Sequence, residues 1–109
     1  MPAGFEAVLD DAELAEGELR IVHVLGQALV LCRVRGRPYA CSGECTFEDG
    51  GDLGAGHLDG YSLRCPVHGC VFDVRSGRIV SPPADEQLPT YEVRSEGGRL
   101  FVAHRPRGF

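Results

Sequence analysis

The sequence lacks the excess of positive charge that nucleic-acid-binding and membrane-surface proteins use. Its 109 residues contain 11 basic and 16 acidic side chains, which gives a net charge of −5. An acidic chain does not offer the basic surface on which nucleic acids and anionic membranes are held. We therefore expect neither nucleic acid nor a membrane among its partners, and we expect a soluble protein that meets a basic patch on a partner.

The sequence also has no export signal and no long apolar run. The segment from Met1 to Glu6 has neither a basic region nor an apolar stretch, so we expect no signal peptide. The longest uncharged apolar stretch, Ala28 to Cys32, is far too short to cross a bilayer. Five cysteines form an odd set, which disfavours a disulfide framework. We expect a cytoplasmic protein whose cysteines act as ligands, in redox chemistry or in the core.

Short alternating runs between turn residues make up most of the chain, and they predict β-structure. The predicted strands cover residues 18–24, 28–34, 38–41, 91–94 and 99–103. The last two flank Glu96-Gly97-Gly98, which is typical of a hairpin turn. Residues 10–16 predict a turn or a single helical turn.

A Gly-rich middle segment interrupts this strand pattern and contains Cys45, Cys65 and Cys70. We predict one all-β domain over residues 1–109, a small antiparallel barrel or sandwich. A loop-rich subdomain covering approximately residues 42–83 is inserted between its strands. Loops inserted into a rigid β scaffold are where function usually resides.

Two loops of this segment carry side chains that can ligate a metal. The first contains Cys45-Thr46-Phe47, and the second contains Cys65-Pro66-Val67-His68-Gly69-Cys70. Thiolates and imidazoles suit iron–sulfur clusters, zinc or copper. Structural zinc sites usually have two short ligand pairs, and Cys65 with His68 is the single clear pair in this sequence, which disfavours zinc.

The second loop and its surroundings resemble Rieske-type ferredoxins. The residues from Cys65 to Ala84 are similar to that family's second cluster loop, Cys-Pro-x-His-Gly-x-x-Phe-Asp-x-x-x-Gly, followed by a proline loop. Residues 50–60 are similar to the stretch between the family's two loops. Residues 48–64, which separate Phe47 from Cys65, match the family's spacing. The resemblance covers nearly the whole chain and implies the Rieske-like form of the β domain.

The resemblance implies a [2Fe–2S] cluster, in which two thiolates hold one iron and two imidazoles hold the other. Carried onto this sequence, it implies that Cys45 and Cys65 hold the first iron and that His68 holds the second. The family's other histidine position falls on Phe47, which has no ligating atom.

Four hypotheses account for Phe47. A different side chain supplies the fourth ligand, water or a small ligand completes the iron, one mononuclear metal occupies the site, or the cluster has been lost. The candidate side chains are Cys41, Cys70 and His57, the last by spacing alone. Retention of Cys45, Cys65 and His68 with the proline loop favours a bound cofactor. Cys32, in the middle of a predicted strand, is expected to be structural.

The resemblance implies an electron carrier that is not an enzyme on its own. Such ferredoxins pass single electrons from a flavin-dependent reductase to a terminal oxygenase, often one that hydroxylates aromatic rings. The alternative is a cluster-free Rieske-fold small subunit, as in some nitrite reductases, with a structural or regulatory role. The two functions differ in colour, iron content and partner.

Overall fold

The structure is a computed structural model that describes residues 4–46, 52–67, 69–82 and 86–107. Within these residues the chain forms eleven strands and two short 3-10 turns. The strands are β1 (Phe5–Asp10), β2 (Leu19–Val24), β3 (Gln27–Val34), β4 (Arg37–Ser42), β5 (His57–Asp59), β6 (Ser62–Arg64), β7 (Val71–Asp73), β8 (Ile79–Ser81), β9 (Thr90–Tyr91), β10 (Val93–Glu96) and β11 (Arg99–Ala103). The 3-10 turns are Asp11–Glu13 and Leu53–Ala55.

The strands form three antiparallel sheets. The terminal sheet has the order β1-β11-β10, the central sheet β2-β3-β4-β9 and the loop sheet β5-β6-β7-β8. The predicted all-β fold is therefore confirmed, although the described strands close no barrel. None of the helical turns in the described part of the chain is long and apolar enough to span a bilayer.

Strand β3 is buried on both faces and separates two hydrophobic cores. Leu29 and Leu31 belong to the core shared with the terminal sheet, whereas Val30 and Cys32 belong to the core shared with the loop sheet. All four side chains are fully buried. Because successive side chains of a strand point to opposite faces, a strand between two layers is apolar at every position. This explains the uninterrupted apolar run.

Most predicted strands are present, but the sequence analysis did not predict β1. This strand pairs with β11, and the register joins Phe5 with Ala103 and Asp10 with Arg99. Its side chains are mostly half-buried, so the contrast between apolar and polar positions is weak. The helical turn predicted within residues 10–16 is the short 3-10 turn at Asp11–Glu13.

A network around Arg33 fastens this 3-10 turn to β3. Arg33 Nε donates to the carbonyl of Leu14 at 2.8 Å, Nη2 donates to the carbonyl of Asp11 at 2.9 Å, and the guanidinium is paired with the Asp11 carboxylate. The Ser95 hydroxyl donates to the same carboxylate at 2.6 Å. Two hydrogen bonds hold the pKa of Asp11 below its usual value of 3.8. The one from Ser95 has the larger effect, and the one from Arg33 follows.

A second carboxylate, that of Glu16, accepts hydrogen bonds from the backbone N–H groups of Gly36 and Arg35. These hydrogen bonds lower the pKa of Glu16 from its usual value of 4.5.

These lowered pKa values predict an acid-labile fold. A carboxyl group whose pKa is lower in the folded state contributes stability that is complete above its unfolded pKa. That contribution is lost as the pH falls through the folded pKa. As the pH falls, the loss of stability is thus expected to begin near pH 4.5 for Glu16 and near pH 3.8 for Asp11. Urea unfolding followed by circular dichroism between about pH 6 and pH 3 measures it.

The variants Asp11→Asn and Glu16→Gln are expected to be less stable than the wild type at neutral pH and to lose less stability on acidification. Glu96→Gln removes an exposed carboxylate from β10 and serves as the control. Parallel pH curves for all three variants would contradict the assignment of acid lability to Asp11 and Glu16.

Candidate metal centre

The first loop leaves the central sheet where β4 ends and is anchored at its base. The N–H of Gly43 donates to the carbonyl of Ala28 at 3.0 Å, and the carbonyl of Gly43 accepts from the N–H of Leu53 at 3.0 Å. An antiparallel β-bridge joins Glu44 to Asp52. These contacts hold Cys45, which is 5% exposed, at the edge of the core next to the loop sheet. Phe47 lies outside the described residues.

The second loop connects β6 to β7 and is closed by its own backbone. The N–H of Cys65 donates to the carbonyl of Cys70 at 2.7 Å, and the N–H of Gly69 donates to the carbonyl of Cys65 at 3.1 Å. Gly69 has a φ of +73°, which permits this return of the chain. Cys65 and Cys70 are buried, whereas Pro66 and Val67 are exposed at the loop tip. His68 lies outside the described residues.

The first loop is also fastened to the segment that follows the proline loop. The hydroxyl of Thr46 donates to the carbonyl of Glu86 at 2.8 Å. Further along, the N–H of Leu88 donates to the carbonyl of Gly77 at 2.8 Å, and the carbonyl of Pro89 accepts from the N–H of Ser42 at 2.9 Å. The segment 86–89 therefore contacts the end of β4, the first loop and the β7–β8 turn, which are distant from one another in sequence.

All five cysteines lie in the core next to the loop sheet, but they differ in what surrounds them. They are Cys32, Cys41, Cys45, Cys65 and Cys70. Cys32 lies in the middle of β3, as expected for a structural residue, and burial raises its pKa to about 12. Burial, together with the nearby Cys32, raises the pKa of Cys41 further. These two thiols therefore resist conversion to the thiolates that bind metals.

The structure brings Cys45 and Cys65 into one core cluster from separate loops, which suits a pair of thiolate ligands. Residues 47–51 and 68 are outside the described part of the chain. In the part that is described, no three His, Cys, Asp or Glu side chains are grouped as ligands of one metal ion. His57 is exposed on β5, opposite Arg64, and is not among these buried cysteines.

Two side chains near the loops were missed by the sequence analysis. Thr46 lies between Cys45 and Phe47 in the sequence. It was missed because its hydrogen bond to the Glu86 carbonyl joins residues that are 40 positions apart. Arg64 lies directly before Cys65, and that adjacency was the signal available in the sequence. Its guanidinium lies beside the second loop, since a Cβ placed on Gly69 would be 3.8 Å from Arg64 Nη1.

Known proteins resemble this chain along most of its length. The Rieske [2Fe–2S] domain matches residues 5–92. The ferredoxin component of a naphthalene 1,2-dioxygenase system from Pseudomonas aeruginosa is 36% identical over 90 residues, which are 83% of this chain and 86% of the relative. The ferredoxin component of a p-cumate 2,3-dioxygenase system from Pseudomonas putida is 35% identical over 91 residues, 83% of this chain and 77% of the relative.

Solved structures of ferredoxins have a fold similar to that of this chain. A chain from the complex of reduced oxygenase and oxidised ferredoxin in carbazole 1,9a-dioxygenase superposes with a TM-score of 0.92 at 29% identity, over 99% of this chain and 100% of that chain. The Sphingomonas yanoikuyae B1 ferredoxin superposes with a TM-score of 0.83 at 27% identity, over 90% of this chain and 96% of that chain.

Proposed function

This chain belongs to the Rieske [2Fe–2S] domain family, and we propose that it is the ferredoxin component of an aromatic-ring dioxygenase system. Its task is to carry single electrons to a terminal oxygenase, and it is an electron carrier and not an enzyme on its own. The observation that carries this proposal is the similarity over most of both chains to proteins named as ferredoxin components of such systems. The solved complex of an oxygenase with its ferredoxin supports the choice of partner.

The electron donor in this proposal is a flavin-dependent reductase, and the compartment is the cytoplasm. A reducing compartment suits Cys32, Cys41, Cys65 and Cys70, all of which are free thiols. The acidic net charge of −5 suits brief docking on basic patches of two partners in turn.

The residues proposed to hold the cluster are Cys45 and Cys65 on one iron and His68 on the other. A bound [2Fe–2S] cluster takes up and releases one electron. Cys45 and Cys65 are held by loops whose bases are fixed by backbone hydrogen bonds, so their thiolates can be positioned before a cluster binds. Residues 42–83, which contain both loops, form the proposed cluster-binding subdomain.

For the fourth ligand, Cys70 is a better candidate than Cys41. Cys70 belongs to the same closed loop as Cys65, and its carbonyl accepts the N–H of Cys65. Cys41 is paired within the central sheet with Val30 and Thr90, so moving it toward the loops would disrupt two strand pairings.

The first test is iron, sulfide and zinc analysis with absorption and EPR spectra on protein purified without oxygen. The proposed function predicts about two irons and two sulfides per chain and an EPR signal on reduction. Cys70→Ala is expected to lose the cluster, while Cys41→Ala and Cys32→Ala keep it. Equal retention of iron in all three variants would contradict a cysteine as the fourth ligand.

A cluster-free structural or regulatory subunit is the second candidate function. The observation that favours it is Phe47, since phenylalanine supplies no ligand at a position where the family has histidine. A colourless, metal-free protein that still folds would support this alternative and contradict the electron carrier.

A further inference from the structure

We infer that Arg64 supplies a positive charge that raises the reduction potential of the cluster site, an inference that rests on the proposed function. Arg64 is the last residue of β6 and directly precedes Cys65. A Cβ placed on Gly69 would lie 3.8 Å from Arg64 Nη1, so the guanidinium lies against the backbone of the second loop. The charge is therefore next to the loop that carries Cys65 and His68.

The loop sheet explains why the side chain is in this position. Across the antiparallel strands Arg64 is paired with His57 on one side and with Val71 on the other. Residues paired in this way lie on the same face of a sheet. Together they line an outer groove of about 300 Å³. Val71 is buried although it lines this groove.

Arg64 shares its groove with one carboxylate, that of Asp59. Among the described residues no ion pair and no hydrogen bond engages its guanidinium, whereas Arg33 is paired with Asp11 and Arg94 with Glu92. With no direct ion pair among these residues, the charge of Arg64 acts on its surroundings and is weakened by Asp59, solvent and salt.

A cation at this place favours the reduced state of the site. Uptake of one electron makes the site one charge more negative, and a positive charge beside it stabilises that state over the oxidised one. Because Arg64 is exposed, dissolved ions weaken the interaction, and the effect shrinks as the salt concentration rises.

The test compares the midpoint potentials of iron-loaded wild type, Arg64→Gln, Arg64→Lys and Arg64→Glu by EPR-monitored redox titration. Arg64→Gln is expected to shift the potential to more negative values and Arg64→Glu to shift it further, while Arg64→Lys stays close to the wild type. Both shifts are expected to be larger at low salt than at high salt. The control is Arg37→Gln, an exposed arginine at the end of β4 opposite to the first loop, and it is expected to leave the potential unchanged.

Two results overturn the inference while leaving the proposed function intact. One is an iron-loaded Arg64→Gln with the potential of the wild type. The other is an Arg64→Lys that shifts as far as Arg64→Gln, because that result assigns the effect to shape and not to charge. A wild-type chain that holds no iron overturns both the inference and the proposed function, so the two failures are distinguishable by metal analysis.

Discussion

Replacement of Cys65 by alanine is expected to remove the iron–sulfur cluster. Cys65 is proposed as a ligand of the first iron, and alanine has no ligating atom. The loop itself is closed through the N–H and carbonyl groups of residue 65, which alanine keeps. Iron per chain is expected to fall at least about tenfold, with loss of the visible absorption and of the EPR signal.

The matched control is Cys32→Ala, which removes a thiol of the same core cluster from the middle of β3. It creates a small cavity, which costs about 1 kcal/mol of stability, but it is expected to leave the iron content unchanged. Unfolding by urea, followed by circular dichroism, separates the two effects. Equal iron in Cys65→Ala and in the wild type would contradict the ligand assignment, and equal loss of iron in Cys32→Ala would mean that iron binding merely follows stability.

Replacement of Gly77 by alanine is expected to have the largest effect on folding. Gly77 has a φ of +78°, and a Cβ at this position would lie 1.9 Å from the carbonyl oxygen of Leu88. The backbone cannot yield there without separating the β7–β8 turn from the segment before β9, where Leu88 N–H donates to the Gly77 carbonyl. We expect a loss of about 4 kcal/mol or more, or failure to fold, measured by urea unfolding and by soluble yield.

Gly98 provides the control for backbone strain alone. It has the same φ of +78°, but nothing lies within 4 Å of a Cβ placed on it. Gly98→Ala is therefore expected to cost about 1 to 2 kcal/mol, which is the penalty of a left-handed conformation without a clash. Similar losses in the two variants would show that the approach of Leu88 to Gly77 is not a constraint on the fold.

Local patterns in the sequence were enough to predict most strands but not their arrangement in layers. The apolar run in β3 predicts a strand, yet a run of this kind does not reveal that Leu31 faces one core and Cys32 the other. Strand β1 was not predicted because its partner, β11, lies at the far end of the sequence. This distant pairing lets Val8 and Leu9 pack against the core shared with the terminal sheet.

Ligand types at short spacing led to the prediction of a metal loop, which stays a prediction, whereas contacts between distant segments could not be predicted. The Cys65 to His68 pair and the glycine-rich surroundings predicted a metal loop. The hydrogen bond from Thr46 to Glu86 joins segments 40 residues apart, so no local pattern encodes it. Metal analysis tests whether a cluster is bound with Phe47 at the position of the family's histidine.

The burial of β3 on both faces has a consequence for the rate of electron transfer. Cys45 of the first loop lies in the same buried core as Val30 and Cys32 of this strand. Close-packed interiors deform little under load. If Cys45 holds the proposed cluster, a thiolate on such a support would shift little when the charge of the centre changes, so the reorganisation energy contributed by the protein is expected to be small. The proposed electron carrier would then exchange electrons rapidly without a conformational change between its encounters with two partners.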